Sequence, residues 1–213
     1  MARLPLPPTI EALAAISPAW RVLPAGALLW RVYFHGGPHP TTWKTFRTFG
    51  PTGARFDHHT YPKREQNRGI LYAAQRSLTC FAEVFQRAGV VDLTTNAPFI
   101  VAFRTTAPLR LLDLSGHWPT VAGASMAINS GSHARARAWS RIIYATYPET
   151  QGLWYCSSMD ENAPCVALYE RAADAMPVTP SFHAPLADPR LRVMIDRHAV
   201  TLNYLVISPR SMP

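Results

Sequence analysis

Short runs of apolar residues, rich in aromatic and β-branched side chains and bounded by Gly or Pro, recur along the whole chain. Runs of about four to eight such residues are typical of β-strands. The pattern predicts strands at residues 28–33, 70–73, 99–104, 109–114, 153–157, 165–170 and 200–207. Only Thr-Thr-Ala-Pro separates the third run from the fourth, which favours a β-hairpin at that point.

Helices are predicted around residues 9–15, 77–88 and 133–147. In the second of these, Ser77 is the expected N-cap, because its hydroxyl can accept a hydrogen bond from a free amide at the helix start. Gly89 is the expected end, because glycine adopts a left-handed conformation at low cost. Apolar residues at three- and four-residue spacing form one stripe of this helix, and Glu83 lies off the middle of it. We therefore expect the Glu83 carboxylate at the edge of a cleft.

Predicted strands outnumber helices and are joined by short loops, which indicates an α+β fold. We expect a largely antiparallel two-sheet core with flanking helices. A doubly wound nucleotide-binding fold would need a Gly-rich first turn, and no GxGxxG or GxxxxGKS motif occurs. The length of 213 residues fits a single domain over 1–213, with a lead-in segment at 1–27 and a C-terminal connector and closing strand at 174–213. Residues 35–53 and 57–68 are predicted loops.

Composition supports a folded domain, since hydrophobic residues make up 48% of the chain and charged residues 16%. The net charge is +8, and arginine supplies nearly all of the basic residues, with lysine only at Lys44 and Lys63. A phosphate-binding surface would explain this excess, because guanidinium groups match phosphate oxygens. The codon bias of a GC-rich genome would explain it equally well. Charge alone therefore does not establish a nucleic-acid role.

The cysteines Cys80, Cys156 and Cys165 form no CxxC motif, which fits a reducing compartment. No HExxH motif or comb of Cys and His ligands occurs, so we expect no metal site. The first residues do not resemble a signal peptide, and no segment has the composition of a membrane span. We expect a soluble, cytoplasmic protein.

Four segments place a polar or charged side chain within an apolar strand or at a turn. Arg31 lies inside an apolar strand, where a charge needs a partner or a bound anion unless it reaches solvent at an edge. Arg55 lies in a Gly-Ala-Arg-Phe-Asp turn that can approach a phosphate. Tyr72 ends a strand eleven residues before Glu83, so the two could face one pocket. Ser157 ends the strand Gly-Leu-Trp-Tyr-Cys-Ser.

Taken in order, these segments resemble the RES domain, a family named for its Arg, Glu and Ser. The resemblance covers about residues 28–171. The matching motifs are Arg31-Val32, Arg55-Phe56, Tyr72, Phe81-Ala82-Glu83-Val84, Tyr155-Cys156-Ser157 and Ala167-Leu168-Tyr169. Each motif is short, and the specificity comes from their order and spacing.

The resemblance implies a fold similar to that of ADP-ribosyltransferases and a toxin of a toxin–antitoxin pair. Such a toxin cleaves the nicotinamide–ribose bond of NAD, with phosphate or water as the acceptor. It requires no cofactor, because NAD is the substrate and inorganic phosphate an optional co-substrate. It also implies an Xre-type helix-turn-helix antitoxin as partner, and a homo-oligomer is compatible with it.

The resemblance also assigns roles to residues. Arg31 and Arg55 would hold phosphates, and Tyr72 would pack on the nicotinamide ring or its ribose. Glu83 would bind ribose hydroxyls and stabilise the ribosyl cation, and Ser157 would orient the ribose or Glu83. Because Ser158 follows directly, the serine assignment could shift by one residue. A single carboxylate is sufficient, because nicotinamide leaves as a neutral molecule and needs no general acid.

Two alternatives remain open at this point. One is transfer of ADP-ribose to a protein, which would use the same cleft and a different acceptor. The other is a basic nucleic-acid-binding module, which the scattered arginines and the lack of a known nucleic-acid-binding motif disfavour. We expect no direct binding to nucleic acid or membrane. The histidines are expected on the surface or in loops, namely His58, His59, His117 and His133.

Overall fold

The computed structural model describes residues 4–208. Its strands are β1 (Trp20–Leu23), β2 (Leu28–Phe34), β3 (Arg47–Gly50), β4 (Arg64–Ala74), β5 (Val90–Asp92), β6 (Pro98–Arg104), β7 (Leu109–Asp113), β8 (Gly152–Cys156), β9 (Pro164–Tyr169), β10 (Phe182–Pro185) and β11 (Leu205–Ile207). Its α-helices are α1 (Ile10–Ala14), α2 (Ser77–Phe85), α3 (Trp118–Val121), α4 (His133–Thr146) and α5 (Arg192–Leu202). The predicted domain limits of 1 and 213 lie outside the described residues.

One large sheet organises the described chain. Its strand order is β1-β7-β8-β9-β4-β2-β6-β10, and β3 pairs with the first part of β4. All its pairings are antiparallel except that of β7 with β8, and β5 and β11 form a separate parallel pair. The α+β fold and the largely antiparallel pairing are thus confirmed. The expected two-sheet core is not: nine strands form one sheet, and only the short β5–β11 pair is separate from it.

Both faces of the large sheet carry a hydrophobic core, as alternation of side chains along each strand requires. On one face, Phe81 of α2, Trp139 of α4 and Ile195 of α5 are fully buried. On the other face, Leu29 and Phe103 pack with partly buried side chains from the segment after β2. Helices therefore cover one face, and irregular chain covers much of the other.

The feature that positions the candidate site is a separation of β2 from β4. β2 pairs with β6 at seven consecutive positions, whereas it pairs with β4 only at Trp30 and Ala74. β4 instead follows β9 from Ile70 to Ala74. Past Trp30 the two strands diverge, so the middle of the sheet has a gap lined by side chains from both. A gap of this kind gives a ligand access to two strands and to the helix that follows β4.

The predicted hairpin at residues 99–114 is wrong. β6 pairs with β2 and β10, and β7 pairs with β1 and β8, so the two strands lie on opposite sides of the gap. The connection between them is held to the β1–β2 turn instead. The Gly26 amide donates to the Thr105 carbonyl, and the Thr105 amide donates to the Ala27 carbonyl. Long-range pairing has therefore overridden the local turn signal.

Several other boundaries also differ from the prediction. Residues 200–202 belong to α5, which ends at Asn203 in a left-handed conformation, so the closing strand is only β11. Ser77 is the first residue of α2 instead of its N-cap, and its hydroxyl lies 2.9 Å from His198 Nε2. Residues 47–50 and 64–68, predicted as loop, form β3 and the start of β4. β1, β5 and β10 are further short strands that the pattern did not indicate.

Candidate active site

A cavity of about 370 Å³ occupies the gap between β2 and β4. A smaller recess of about 60 Å³ adjoins it and shares Arg31, Tyr72 and Glu83 with the main cavity. The cavity walls include four of the five predicted site residues, all except Ser157, and several others: Arg31, Tyr33, His39, Arg47, Arg55, Tyr72, Glu83, His133 and Tyr155. Because β2 and β4 diverge, residues that are far apart in sequence line one cavity between these strands.

Arg31 reaches the cavity from β2 as a half-buried cation. Its guanidinium donates one hydrogen bond to the Thr45 carbonyl, at 3.3 Å. Within residues 4–208, no carboxylate lies within ion-pair distance of it. Burial lowers the pKa of Arg31 to about 10, which still leaves it charged at neutral pH. An unpaired, partly desolvated guanidinium in a cavity wall is suited to binding an anion.

Arg55 enters the cavity from a loop between β3 and β4. Its guanidinium donates to the Gly131 carbonyl at 2.7 Å, which leaves its other donors for a ligand. Burial lowers its pKa, and the negative charge of Glu83 opposes that effect. Arg55 and Glu83 therefore contribute charges of opposite sign to one cavity.

Asp57, two residues after Arg55, organises the loop that carries it. The carboxylate is fully buried and accepts hydrogen bonds from Arg47, from the amide and hydroxyl of Thr52, and from the amide and ring of His59. Burial alone would raise the pKa of Asp57, but the hydrogen bonds from His59 and Thr52 and the Arg47 charge hold it well below its usual range. Asp57 is thus ionised, and it neutralises Arg47.

Tyr72 points its hydroxyl from β4 toward the same loop. The Phe56 amide donates to the Tyr72 hydroxyl oxygen at 3.1 Å. Burial, and then the nearby Asp57 charge, raises the pKa of Tyr72, so the phenol stays protonated. Its ring is part of the cavity wall. Tyr72 thereby links the arginine-bearing loop to the floor of the cavity.

Glu83 and Ser157 meet at the inner side of the cavity. The half-buried Glu83 projects from α2, and the Ser157 hydroxyl donates to Glu83 Oε1 at 2.5 Å. Ser157 is 1% exposed and also accepts a hydrogen bond from the Met159 amide. Ser158, in contrast, is exposed to solvent. The serine that contacts the carboxylate is therefore Ser157, which does not itself line the cavity.

The four histidines lie on the surface or in loops, as expected, but the two in the loop between β3 and β4 are buried. His58 and His59 are both fully buried, whereas His117 and His133 are exposed. His59 lies between Asp57 Oδ1, at 2.5 Å, and the Arg68 carbonyl, at 2.9 Å. His58 packs against two tyrosine rings at 4.4 Å, and within residues 4–208 neither of its ring nitrogens has a hydrogen-bond partner. Burial lowers the pKa of His58 to about 4.

Sequence reasoning also missed Arg47 and Asp57 as parts of the site. Arg47 lines the cavity from β3, and its guanidinium lies 2.9 Å from Asp57 Oδ2. The only local signal was the position of Asp57 in the same turn as Arg55. Arg47 lies in a segment predicted as loop, so nothing in its neighbourhood indicated that it faces a cavity.

Two further structural features are relevant to function: clusters of metal ligands and helices that could span a membrane. No group of three or more His, Cys, Asp or Glu side chains within residues 4–208 is arranged to hold a metal ion. The three cysteines are free thiols. None of the helices in this part of the chain combines the length and the apolar character that a membrane span requires.

Comparison with known proteins identifies a matching family and a solved structure with a similar fold. The family model described as RES domain matches residues 28–188. A chain in the crystal structure of the M. tuberculosis MbcT–MbcA toxin–antitoxin complex has a similar fold, with a TM-score of 0.53 and 13% sequence identity. The match covers 82% of this chain and 90% of that one. No curated protein matches the sequence.

Proposed function

The chain belongs to the RES domain family, and from this membership and its cavity we propose that it degrades NAD by cleaving the nicotinamide–ribose bond. One observation carries the proposal: the Glu83 carboxylate, held by Ser157, shares one cavity with two arginines that have no carboxylate partner among the described residues. The substrate that this arrangement fits has an anionic part and a centre that becomes positive during reaction. NAD has both, in its diphosphate and its nicotinamide ribose.

The proposed reaction breaks the bond between C1′ of the ribose and the nicotinamide nitrogen. Both bonding electrons remain on that nitrogen, so nicotinamide leaves as a neutral molecule, and positive charge develops on the ribosyl group. Glu83 stabilises this cation, and a preorganised charge in a partly desolvated site does so without having to reorient. An acceptor oxygen then forms the new bond to C1′. Water yields ADP-ribose and a proton, and inorganic phosphate yields a phosphorylated ADP-ribose.

The other residues bind and orient the substrate in this proposal. Arg31 and Arg55 bind the diphosphate, or one of them binds an acceptor phosphate. Tyr72 packs against the nicotinamide ring or its ribose. Ser157 fixes the rotamer of Glu83 through its hydrogen bond, so that the carboxylate is already oriented toward the position of the ribose before NAD binds. In this proposal the arginines bind the anionic part of the substrate, and Glu83 alone stabilises the positive charge that develops on the ribose.

The proposed biological role is that of the toxin in a toxin–antitoxin pair. Support comes from the family and from the fold shared with a chain of a toxin–antitoxin complex. The antitoxin proposed as partner is an Xre-type helix-turn-helix protein. We also propose that the fold is similar to that of ADP-ribosyltransferases and that the protein is cytoplasmic. Loss of cellular NAD would then account for toxicity.

The direct test is incubation of the purified protein with NAD, with and without inorganic phosphate, followed by chromatography of the products. Free nicotinamide should appear as NAD disappears. Faster turnover with phosphate and a phosphorylated ADP-ribose would identify phosphorolysis, and ADP-ribose alone would identify hydrolysis. Label from adenylate-labelled NAD that becomes attached to protein would identify ADP-ribosyl transfer instead. Unchanged NAD at micromolar protein, in a preparation that unfolds cooperatively, would contradict the proposed activity.

A further inference from the structure

A row of aromatic rings begins at the cavity wall and crosses three strands of the sheet. Tyr33 of β2 lines the cavity, and its ring stacks on Phe99 of β6 at 5.7 Å. Phe99 in turn stacks on His183 of β10 at 5.0 Å, with ring planes 29° apart. The Tyr33 hydroxyl lies 2.6 Å from His183 Nε2, and the planes of these two rings differ by only 13°. His35 contacts the edge of Phe99 at 5.7 Å.

The outer part of this row is open to solvent. His35 and His183 are exposed and Phe99 is half-buried, whereas Tyr33 is 4% exposed and anchors the row to the cavity. We call His35, Phe99 and His183 the aromatic platform. The exposed parts of these rings leave aromatic surface beside the cavity that a ligand can contact.

The platform lies on the same side of the sheet as the cavity cation Arg31. Residues at alternate positions of a strand point to one face, so Arg31 and Tyr33 share a face of β2, and His35 follows directly after the strand. His183 lies two strands from β2, which corresponds to roughly 10 Å at the usual strand spacing. A molecule held at Arg31 therefore needs to extend only about that far to cover the platform.

We propose that the aromatic platform binds the adenine base of the dinucleotide while Arg31 holds its diphosphate. This inference rests on the proposed function, because it assigns the second half of the same substrate. Bases stack on aromatic side chains with little demand for polar contacts. Burial and the nearby His35 lower the pKa of His183, so its ring is neutral at pH 7 and can accept a hydrogen bond from Tyr33. The platform would make the protein selective for a dinucleotide over a mononucleotide.

The test compares NAD with nicotinamide mononucleotide, which has the same scissile bond and no adenylate. The wild-type protein should use NAD with the higher kcat/KM. In a variant with His35→Ala and His183→Ala, the KM for NAD should rise roughly 10- to 100-fold, while kcat and the turnover of the mononucleotide stay near wild type. His183→Phe keeps a ring but loses the hydrogen bond, so it should retain most of the preference. His117→Ala, an exposed histidine outside the cavity lining, is the matched control.

Binding of AMP, measured by calorimetry, provides a readout independent of turnover. The double alanine variant should lose AMP affinity by a similar factor, and the His117→Ala and His183→Phe proteins should keep most of it. An unchanged NAD preference or an unchanged AMP affinity in the double variant would overturn the platform. If wild-type protein cleaves neither substrate, the proposed reaction fails, while AMP binding still decides whether a purine occupies the platform.

Discussion

The Ser157 hydroxyl donates a 2.5 Å hydrogen bond to Glu83 Oε1 across a sequence separation of 74 residues. Glu83 lies on α2, which follows β4, and Ser157 lies just after β8. β9 pairs with both β4 and β8, so three adjacent strands bring the two residues together. The contact orients the one carboxylate that lines the cavity among the described residues, and the sharpest predictions concern this pair.

Replacing Glu83 by Gln should abolish most of the cleavage and leave binding intact. The variant keeps the size of the side chain but removes the negative charge that stabilises the ribosyl cation in the proposed mechanism. We expect kcat to fall by about 10²–10³, with NAD affinity and the unfolding free energy nearly unchanged. Single-turnover nicotinamide release, calorimetric NAD binding and thermal unfolding measure these three quantities. Glu149→Gln, at an exposed carboxylate outside the cavity lining, is the control. Cleavage within a few-fold of wild type would remove Glu83 from the mechanism.

Ser157→Ala and Ser158→Ala form a matched pair that tests how Glu83 is positioned. Ser157→Ala removes the hydrogen bond to the carboxylate, so kcat should fall by about 10-fold, as expected for a hydrogen bond to a charged group. The KM for NAD should change little, because Ser157 does not line the cavity. Ser158 is exposed, and its variant should behave as wild type. Equal kcat values for the two variants would contradict the positioning role of Ser157.

Arg31→Ala should weaken binding, because in the proposed complex Arg31 contacts a phosphate that is already charged before the reaction. A lost charge-assisted hydrogen bond contributes about 1.5–3 kcal/mol, so kcat/KM should fall roughly 10- to 100-fold, mainly through KM. Steady-state kinetics at varied NAD concentration separates the two constants. Arg197→Ala removes an exposed arginine outside the cavity lining and should have no effect. A fall in kcat with an unchanged KM would show that Arg31 acts in the transition state instead.

His58 should make the protein less stable as the pH falls below neutrality. Burial lowers its pKa to about 4, whereas an unfolded histidine takes up a proton near pH 6.5. The contribution is therefore fully present above pH 6.5 and is lost as the pH falls toward 4, by up to about 1.4 kcal/mol per pH unit. Between pH 7 and 5, His58→Phe should lose about 2 kcal/mol less unfolding free energy than wild type.

Urea unfolding at several pH values measures this difference. Burial would raise the pKa of Glu170, but the His58 ring 3.7 Å away and hydrogen bonds from the Gly69 amide and the Tyr144 hydroxyl lower it to about 2, so Glu170 does not titrate in this window. The exposed His117 serves as control, and His117→Phe should follow the wild-type pH profile. Parallel pH profiles for wild type and His58→Phe would show that His58 is not kept neutral by the fold.

Local patterns predicted most elements of the fold. The predicted bounds agree with the structure within a few residues for helix α4 and for the apolar strands β2, β6, β7, β8 and β9. β3 and the start of β4 were missed because their charged and polar side chains give no apolar run. The prediction of a hairpin was wrong because the choice of partner strand depends on the whole sheet. A four-residue connection does not determine that choice.

The sequence by itself determined which residues we propose for the chemistry. Arg31, Arg55, Tyr72, Glu83 and Ser157 occur in ordered motifs, and the family match covers all of them. Only the tertiary structure decided how they meet. The separation of β2 from β4 creates the cavity. The pairing of β9 with β4 and β8 brings Ser157 rather than Ser158 to Glu83. Tertiary packing also buries Asp57 and His58 in the protein interior. Each of these outcomes depends on contacts between residues far apart in sequence, and a local pattern contains no information about such contacts.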